Sequence, residues 1–266
     1  LFWRSLTQWI GGLGVVVFFV AILSFLGSGA KVLFSREHSG SAGDFSDGRM
    51  QKGAFRIMML YLVISGLCAV AYRLAGLEWF DAVCHMFTTV STGGFGTLTE
   101  SLAGFQNPAL EWVAIVFMSV CGVSFLLILR GVQRGPKRTF SENAEFLTYA
   151  GILVVAALLI LGIRFATTSG IGFHDLVRGS LFQVVSIMTT TGFATENFAG
   201  WAYPAQIILL LLMFVGGSSG STAGGMKVSR MVVGWRATLN HLERAFRPNV
   251  VRPVRINRRT VSAGEV

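Results

Sequence analysis

Charge is in short supply in this chain. Asp, Glu, Lys and Arg make up 13% of its 266 residues, against about 25% in a soluble domain. So few charges cannot cover a water-facing surface, so most of the chain is expected in lipid. Proline is also scarce, with five residues, and the three cysteines, Cys68, Cys84 and Cys121, are scattered in apolar runs without a paired spacing. Collagen-like, disordered and disulfide-scaffold classes are excluded, and the thiols read as small buried hydrophobes. Reactive constellations are lacking too. His38, His85, His174 and His241 have no partners at metal-ligand spacing, and no Ser/His/Asp or Cys/His set is present. An enzyme is not expected, nor a resident cofactor.

Apolar residues fill the space these absences leave. They form 53% of the chain, with 22 Phe and 32 Gly, and the mean hydropathy is +0.63. Glycine at that frequency suits helices packed closely in a bilayer. Five stretches approach the roughly 20 apolar residues that a span requires: residues 3–26, 54–76, 111–129, 146–165 and 203–237, the last interrupted by glycines. Two shorter segments, 79–90 and 173–188, each precede a Thr/Gly run and read as re-entrant helices. The fold class is therefore an all-α membrane protein built from repeated helix, re-entrant pore helix, helix units around a central pore.

The basic residues set an orientation. Residues 31–56 hold five Lys or Arg, the connection after the third span holds four, and the segment from Lys227 onward holds nine. These 18 of the 22 fall on one side only if both short segments leave on the side they entered. That side is expected to be cytoplasmic. Arg4, Arg73, Arg164 and Arg178 lie near the opposite ends. The net charge of +9 thus reads as topology, and no nucleic-acid partner is expected.

An internal repeat organises the chain. Thr88-Thr89-Val90-Ser91-Thr92-Gly93-Gly94-Phe95-Gly96-Thr97 aligns with Ser186-Ile187-Met188-Thr189-Thr190-Thr191-Gly192-Phe193-Ala194-Thr195 at an offset of 98 residues. Two complete units occupy residues 54–130 and 146–237, joined by a cytoplasmic connection at 131–145. Residues 1–26 behave as the returning helix of an earlier unit whose first half is absent, with 27–53 as a second connection. Residues 238–266 form a basic tail leading toward a further unit. The chain opens on Leu1 and reads as a piece of a longer protein. Repeats of this kind commonly surround a substrate path.

The Thr/Gly runs carry the chemistry. Irregular backbone at membrane depth is tolerated only where protein or water satisfies it, so each run is expected to face a cavity. Carbonyl oxygens aimed inward can replace the water of a dehydrated cation, and glycine permits the turn. Gly94 and Gly192 are the leading candidates, with Thr92, Gly93, Phe95, Thr190, Thr191 and Phe193 completing two ion-binding turns. The alternative, a pair of helix-ending turns, is weakened by their recurrence at matching places. No Lys or Arg occurs in residues 86–106 or 184–208, while Glu100 and Glu196 follow the turns, which suits a cation entrance. Asp81 and Asp175 are expected to cap the short helices.

The fifth span contains Gly216-Gly217-Ser218-Ser219-Gly220-Ser221-Thr222-Ala223-Gly224-Gly225, five glycines in ten residues. Each glycine costs about 1 kcal/mol relative to Ala in a helix interior, so the helix should break. A phosphate-binding loop is excluded because Met226 stands where that motif needs Lys, and a domain linker is disfavoured because the run sits inside a span. An unwound loop that obstructs or clears the pore is the remaining reading. Lys227 is expected either to snorkel to the interface, the favoured reading, or to interact with the loop.

These residues match a known pattern. Arg4-Ser5-Leu6-Thr7-Gln8-Trp9-Ile10-Gly11-Gly12-Leu13-Gly14 resembles the returning helix of the first repeat in the Trk/Ktr/HKT potassium-transporter superfamily, most closely its bacterial TrkH branch. Residues 91–95 and 189–193 resemble that family's second and third selectivity-filter loops, and residues 216–227 its glycine-rich break in the third repeat. The resemblance implies K⁺ uptake through a carbonyl-lined filter, with K⁺ at the filter as the sole metal and residues 216–225 with Lys227 as the gate. It also implies four repeats in the intact protein, a homodimer in the bacterial inner membrane, and a cytoplasmic nucleotide-binding regulatory subunit. Residues 130–138 and 227–259 would meet that subunit or membrane lipid heads. Two other readings remain: an alternating-access cation symporter and a non-transporting membrane scaffold. Single glycines in place of an extended filter predict only moderate discrimination of K⁺ from Na⁺.

Overall fold

Helices account for most of the computed structural model, which describes residues 1–14, 47–246, 255–256 and 259–260. Among the described residues the helices are α1 (Phe2–Leu13), α2 (Asp47–Leu74), α3 (Trp79–Val90), α4 (Pro108–Cys121), α5 (Phe125–Arg134), α6 (Pro136–Ser141), α7 (Ala144–Thr167), α8 (Phe173–Met188), α9 (Tyr203–Phe214) and α10 (Val228–Phe246). Short 3-10 turns at Ser101–Phe105 and Phe198–Gly200 follow α3 and α8. Two two-residue strands, β1 (Arg255–Ile256) and β2 (Arg259–Thr260), pair antiparallel. The remainder of the expected first span (15–26), most of the 27–53 connection, and residues 247–254, 257–258 and 261–266 lie outside the described residues.

Sequence sets the helix limits through familiar devices. Asn107 and Asn143 cap α4 and α7, their side-chain oxygens accepting the N–H of Ala109 (3.0 Å) and Phe146 (2.9 Å). Pro108 and Pro204 occupy the first turns of α4 and α9, where a missing N–H does no harm. Asp81 and Asp175 do not cap: Glu78 and Gly172 hold those positions without a side-chain bond, and Asp175 pairs with Arg178 at 2.7 Å.

Two stretches, Gly53–Leu74 and Ala144–Thr167, are helices long and apolar enough to cross a membrane. The short helices α3 and α8 have 12 and 16 residues, about 18 and 24 Å at 1.5 Å per residue, less than the ~30 Å hydrocarbon layer. Yet residues 84–90 and 182–188 are buried throughout. Protein provides that burial: α3 packs among α1, α2 and α4, and α8 among α4, α7 and α9. The two places match: α1 leans on α3 as α4 leans on α8. Tyr61, Tyr72, Met118, Phe125, Phe182 and Phe193 fill the shared core.

α2 begins at Asp47, ahead of its apolar stretch from Gly53. One expectation needs correction. The third span, 111–129, is not one helix: α4 and α5 meet at 90°. The break spans Gly122-Val123-Ser124, and partners from the glycine-rich run compensate the helix bonds lost there. Ser218 N–H donates to the Gly122 carbonyl (2.9 Å), and Phe125 N–H to the Gly220 carbonyl (3.1 Å). The fifth span does break, with residues 215–227 outside helix between α9 and α10. α10 then continues to Phe246, so the first nine residues of the 238–266 tail are helical.

Candidate functional site: two Thr-Gly turns beside a glycine loop

Both turns are built by the same backbone moves. At the end of α3, the N–H groups of Gly93 and Gly94 fold back on the Thr88 carbonyl at 2.7 and 3.3 Å. At the end of α8, those of Thr191 and Gly192 fold back on Ser186 at 2.9 and 3.3 Å. Donors and acceptors alike are 98 positions apart. Thr92 and Gly94 have φ of +53° and +75°, and Thr190 and Gly192 have +56° and +81°. The threonines hold a left-handed conformation that costs an L residue about 1–2 kcal/mol. Such strain persists only where its surroundings enforce it.

The two turns meet. A Cβ added at Gly94 would fall deep inside the Thr191 carbonyl and 3.3 Å from the Gly192 carbonyl carbon, so only glycine allows the approach. Gly192 needs its hydrogen for φ alone, since nothing lies near its Cβ position. Among the described residues, no donor meets the carbonyls of Thr92, Gly94, Thr190, Thr191 or Gly192.

Beyond that common frame the turns differ. Gly93 accepts at its carbonyl from Gln8 Nε2 of α1 (3.1 Å), and the Gln8 side chain fills the space a Cβ at Gly93 would need. Its counterpart Thr191 bonds Thr189 Oγ1 instead (2.7 Å). Phe95 is 43% exposed with the Arg4 guanidinium over its ring at 4.1 Å. Phe193 is fully buried against His85, and its carbonyl accepts from Ser186 Oγ (2.6 Å). His85 fits its plain reading: rings of Tyr72, Phe105 and Phe193 surround it, with Thr97 Oγ1 at 3.3 Å from Nε2. No group of metal-ligating side chains occurs among the described residues, and all three cysteines are free and buried.

The glycine-rich run lies directly against these turns. Its ends are drawn together by Gly216 N–H donating to the Met226 carbonyl (2.9 Å) and Met226 N–H to that of Phe214 (3.4 Å). Thr222 Oγ1 then donates to the carbonyls of Val90 (3.0 Å) and Cys121 (3.3 Å), where α3 and α4 end. Gly224 N–H donates to Thr190 Oγ1 (2.6 Å), inside the second turn. A Cβ at Gly216 or Gly217 would strike the opposite limb of the loop. Lys227 takes the second of its expected roles, contact with the loop: its ammonium donates to the Ala223 carbonyl.

Four arginines stand apart from the main basic segments, and the structure ties each of them down. Arg4 covers Phe95, and Arg73 donates to the Leu77 carbonyl at 3.3 Å. Arg178 bonds Glu111 (2.9 Å) as well as Asp175, linking α8 to α4. Arg164, 3% exposed, pairs with Glu196 at 2.6 Å and lies 4.1 Å over Trp201. This revises the cation-entrance expectation. The Glu196 charge is spent on Arg164, leaving Glu100 as the exposed carboxylate after a turn.

A family model described as TrkH: Cation transport protein matches residues 1–264. The chain belongs to the TrkH family of cation transport proteins. Trk system potassium uptake protein TrkH of Escherichia coli (strain K12) is 32% identical over 265 residues, covering 98% of this chain and 54% of that protein. TrkH of Halomonas elongata is 35% identical over 270 residues, covering 99% and 55%. The crystal structure of the potassium transporter TrkH from Vibrio parahaemolyticus superposes with a TM-score of 0.82 at 32% identity, over 96% of this chain and 52% of that one. The chain thus spans about half the length of the TrkH relatives it matches. These relatives are membrane transporters, not enzymes.

Within the TrkH frame, the α4–α5 break is the feature that sequence reasoning missed. A signal for it was present: Gly122 precedes Gly220 by the same 98 residues that separate the turns. Tyr149 and Glu145 gave none. The first donates to the Ser119 carbonyl (3.1 Å) and packs on Gly122, and the second accepts from Ser219 N–H (2.5 Å).

Proposed function

We propose that this chain is part of a potassium-uptake transporter. Its ion path passes the carbonyls of residues 92–95 and 190–193, and residues 216–225 with Lys227 form the gate. The observation that carries this reading is the backbone contact between Gly94 and the Thr191 carbonyl. It joins two turns whose N–H groups are engaged with their own helices. Carbonyl oxygens are what remain, and they suit a dehydrated cation. The glycine loop touches the ends of α3 and α4 and the Thr190 side chain, which supports its reading as an obstruction beside the turns. Membership of the TrkH family, and the names of the relatives, support potassium as the cargo.

On the same family grounds, the whole transporter works as a homodimer in the bacterial inner membrane. It exposes the basic connections on the cytoplasmic side, where a nucleotide-binding regulatory subunit docks. The two complete pore repeats are residues 54–130 and 146–237, preceded by the returning helix of an earlier one. The test is ion discrimination in the whole transporter carrying Gly94→Ser, measured as competing K⁺ and Na⁺ uptake by cells devoid of other K⁺ uptake. The preference for K⁺ should fall severalfold or uptake should fail. An unchanged preference with full uptake removes Gly94 from the ion path.

A further inference from the structure

Glu145 stands in the first turn of α7, 74 residues before the loop residue it touches. Its Oε1 accepts the Ser219 N–H at 2.5 Å. Ser229, in the first turn of α10, and the Lys227 ammonium both act on the same carboxylate electrostatically. Ser219 and Ser229 are themselves joined, hydroxyl to hydroxyl, at 2.5 Å. One anion therefore gathers the middle of the glycine loop and the start of the helix that leaves it. The groups gathered around it favour a negative charge and offset the cost of burying one. The first N–H groups of a helix have no partner within it, the N-terminal end of the dipole attracts anions, and hydrogen bonds to a carboxylate are about twice as strong as neutral ones.

One turn further along α7, on the same face, Tyr149 donates to the Ser119 carbonyl and packs on Gly122 at the α4–α5 hinge. The outer helix thus grips both breaks. Thr222, Gly224 and the paired ends of the loop hold it elsewhere, but its five glycines supply no side chains, and a glycine backbone has more freedom to lose on ordering than any other.

We infer that Glu145 is the latch of the gate, a positioning residue whose carboxylate holds residues 216–225 in the obstructing arrangement. This rests on the loop being the gate. Withdrawing the carboxylate frees the Ser219 N–H, which favours the cleared arrangement without altering the turns that meet the ion.

The experiment is rubidium flux through the whole transporter in liposomes. Glu145→Ala and Glu145→Gln are each measured with the natural loop and with a loop shortened within residues 216–225. With the natural loop, Glu145→Ala should raise resting flux about tenfold, equivalent to about 1.4 kcal/mol. Glu145→Gln keeps an acceptor but loses the charge, and should raise flux less. In the shortened loop neither substitution should add anything, because the latch has nothing left to hold. Flux that rises on shortening but not in either Glu145 variant overturns the latch and leaves the gate standing. Flux that does not rise on shortening overturns the gate and the latch with it. A Glu145 effect that persists undiminished in the shortened loop assigns the residue a general structural role and also overturns the latch. Where Glu145→Ala fails to assemble, Glu145→Gln decides by the same criteria.

Discussion

Glu196 should be costlier to lose than Arg164, although they are two halves of one ion pair. Arg164 is 3% exposed and Glu196 35%. The guanidinium is held by the Glu196 carboxylate at 2.6 Å, Ser180 Oγ at 3.4 Å and the Trp201 face at 4.1 Å. Its Nε is already buried without a partner among the described residues. Removing one member of a fully buried pair costs about 3–5 kcal/mol, and a solvent-open member deserves a discount for screening. Glu196→Gln keeps the shape but strands a cation with no route to water, and should cost about 3 kcal/mol. Arg164→Met keeps much of the volume and leaves a carboxylate that can turn outward, and should cost about 1.5 kcal/mol. The double variant should cost less than the sum, since the second change removes the charge the first one stranded. Detergent-solubilised transporters commonly unfold irreversibly, so the readout is the ranking of melting temperatures at one scan rate across wild type, both single variants and the double. An Arg164 variant less stable than the Glu196 variant, or two strictly additive effects, would refute the reasoning.

Two further substitutions probe the contacts of the loop and hinge. Thr222→Val preserves side-chain volume and removes the donor shared by the Val90 and Cys121 carbonyls, a loss of about 1–2 kcal/mol. Resting rubidium flux through the whole transporter should rise about tenfold, and unchanged flux would show that this bond does not hold the loop. Gly122→Ala places a methyl 3.0 Å from Thr189 Cγ2 and from Tyr149 Cζ, and closer still to the Tyr149 hydroxyl. Overpacking of that kind costs about 1–3 kcal/mol. Adding Tyr149→Phe should restore part of the lost thermal stability, and no recovery would place the clash elsewhere.

Much of this arrangement is legible in the sequence because its signals are local. Runs of apolar residues announce α2, α7 and α9, and a Thr/Gly pattern repeated at 98 residues marks both turns before any coordinates are known. The glycine density of 216–225 predicts a break that the structure contains. What escapes is set by contacts distant in the chain. Residues 111–129 read as one apolar span, and α4 bends because Ser218, Gly220 and Thr222, about a hundred residues later, take over its carbonyls and an N–H. Glu196 reads as a free carboxylate because nothing near it in sequence reveals Arg164, 32 positions earlier. Lys227 reads first as an interfacial cation and second as a partner of the loop, and a backbone oxygen exposed by the unwound loop is the partner it takes.

Whether paired turns of this geometry hold a cation or an anion depends on which backbone groups are already engaged. Left-handed residues in a loop can gather N–H groups into a nest for anions, or leave carbonyls to line a cation path. Here the N–H groups of Gly93 and Gly94 are bound to Thr88, and those of Thr191 and Gly192 to Ser186. Two donors on one carbonyl oxygen at the end of each helix satisfy the orphan acceptors found there. They leave the turns with a surplus of oxygen. Side chains do not reverse that balance. Ser186 and Gln8 donate to the Phe193 and Gly93 carbonyls, but no Lys or Arg lies within residues 86–106 or 184–208. That surplus of oxygen is what the proposed cation path requires and what an anion would avoid.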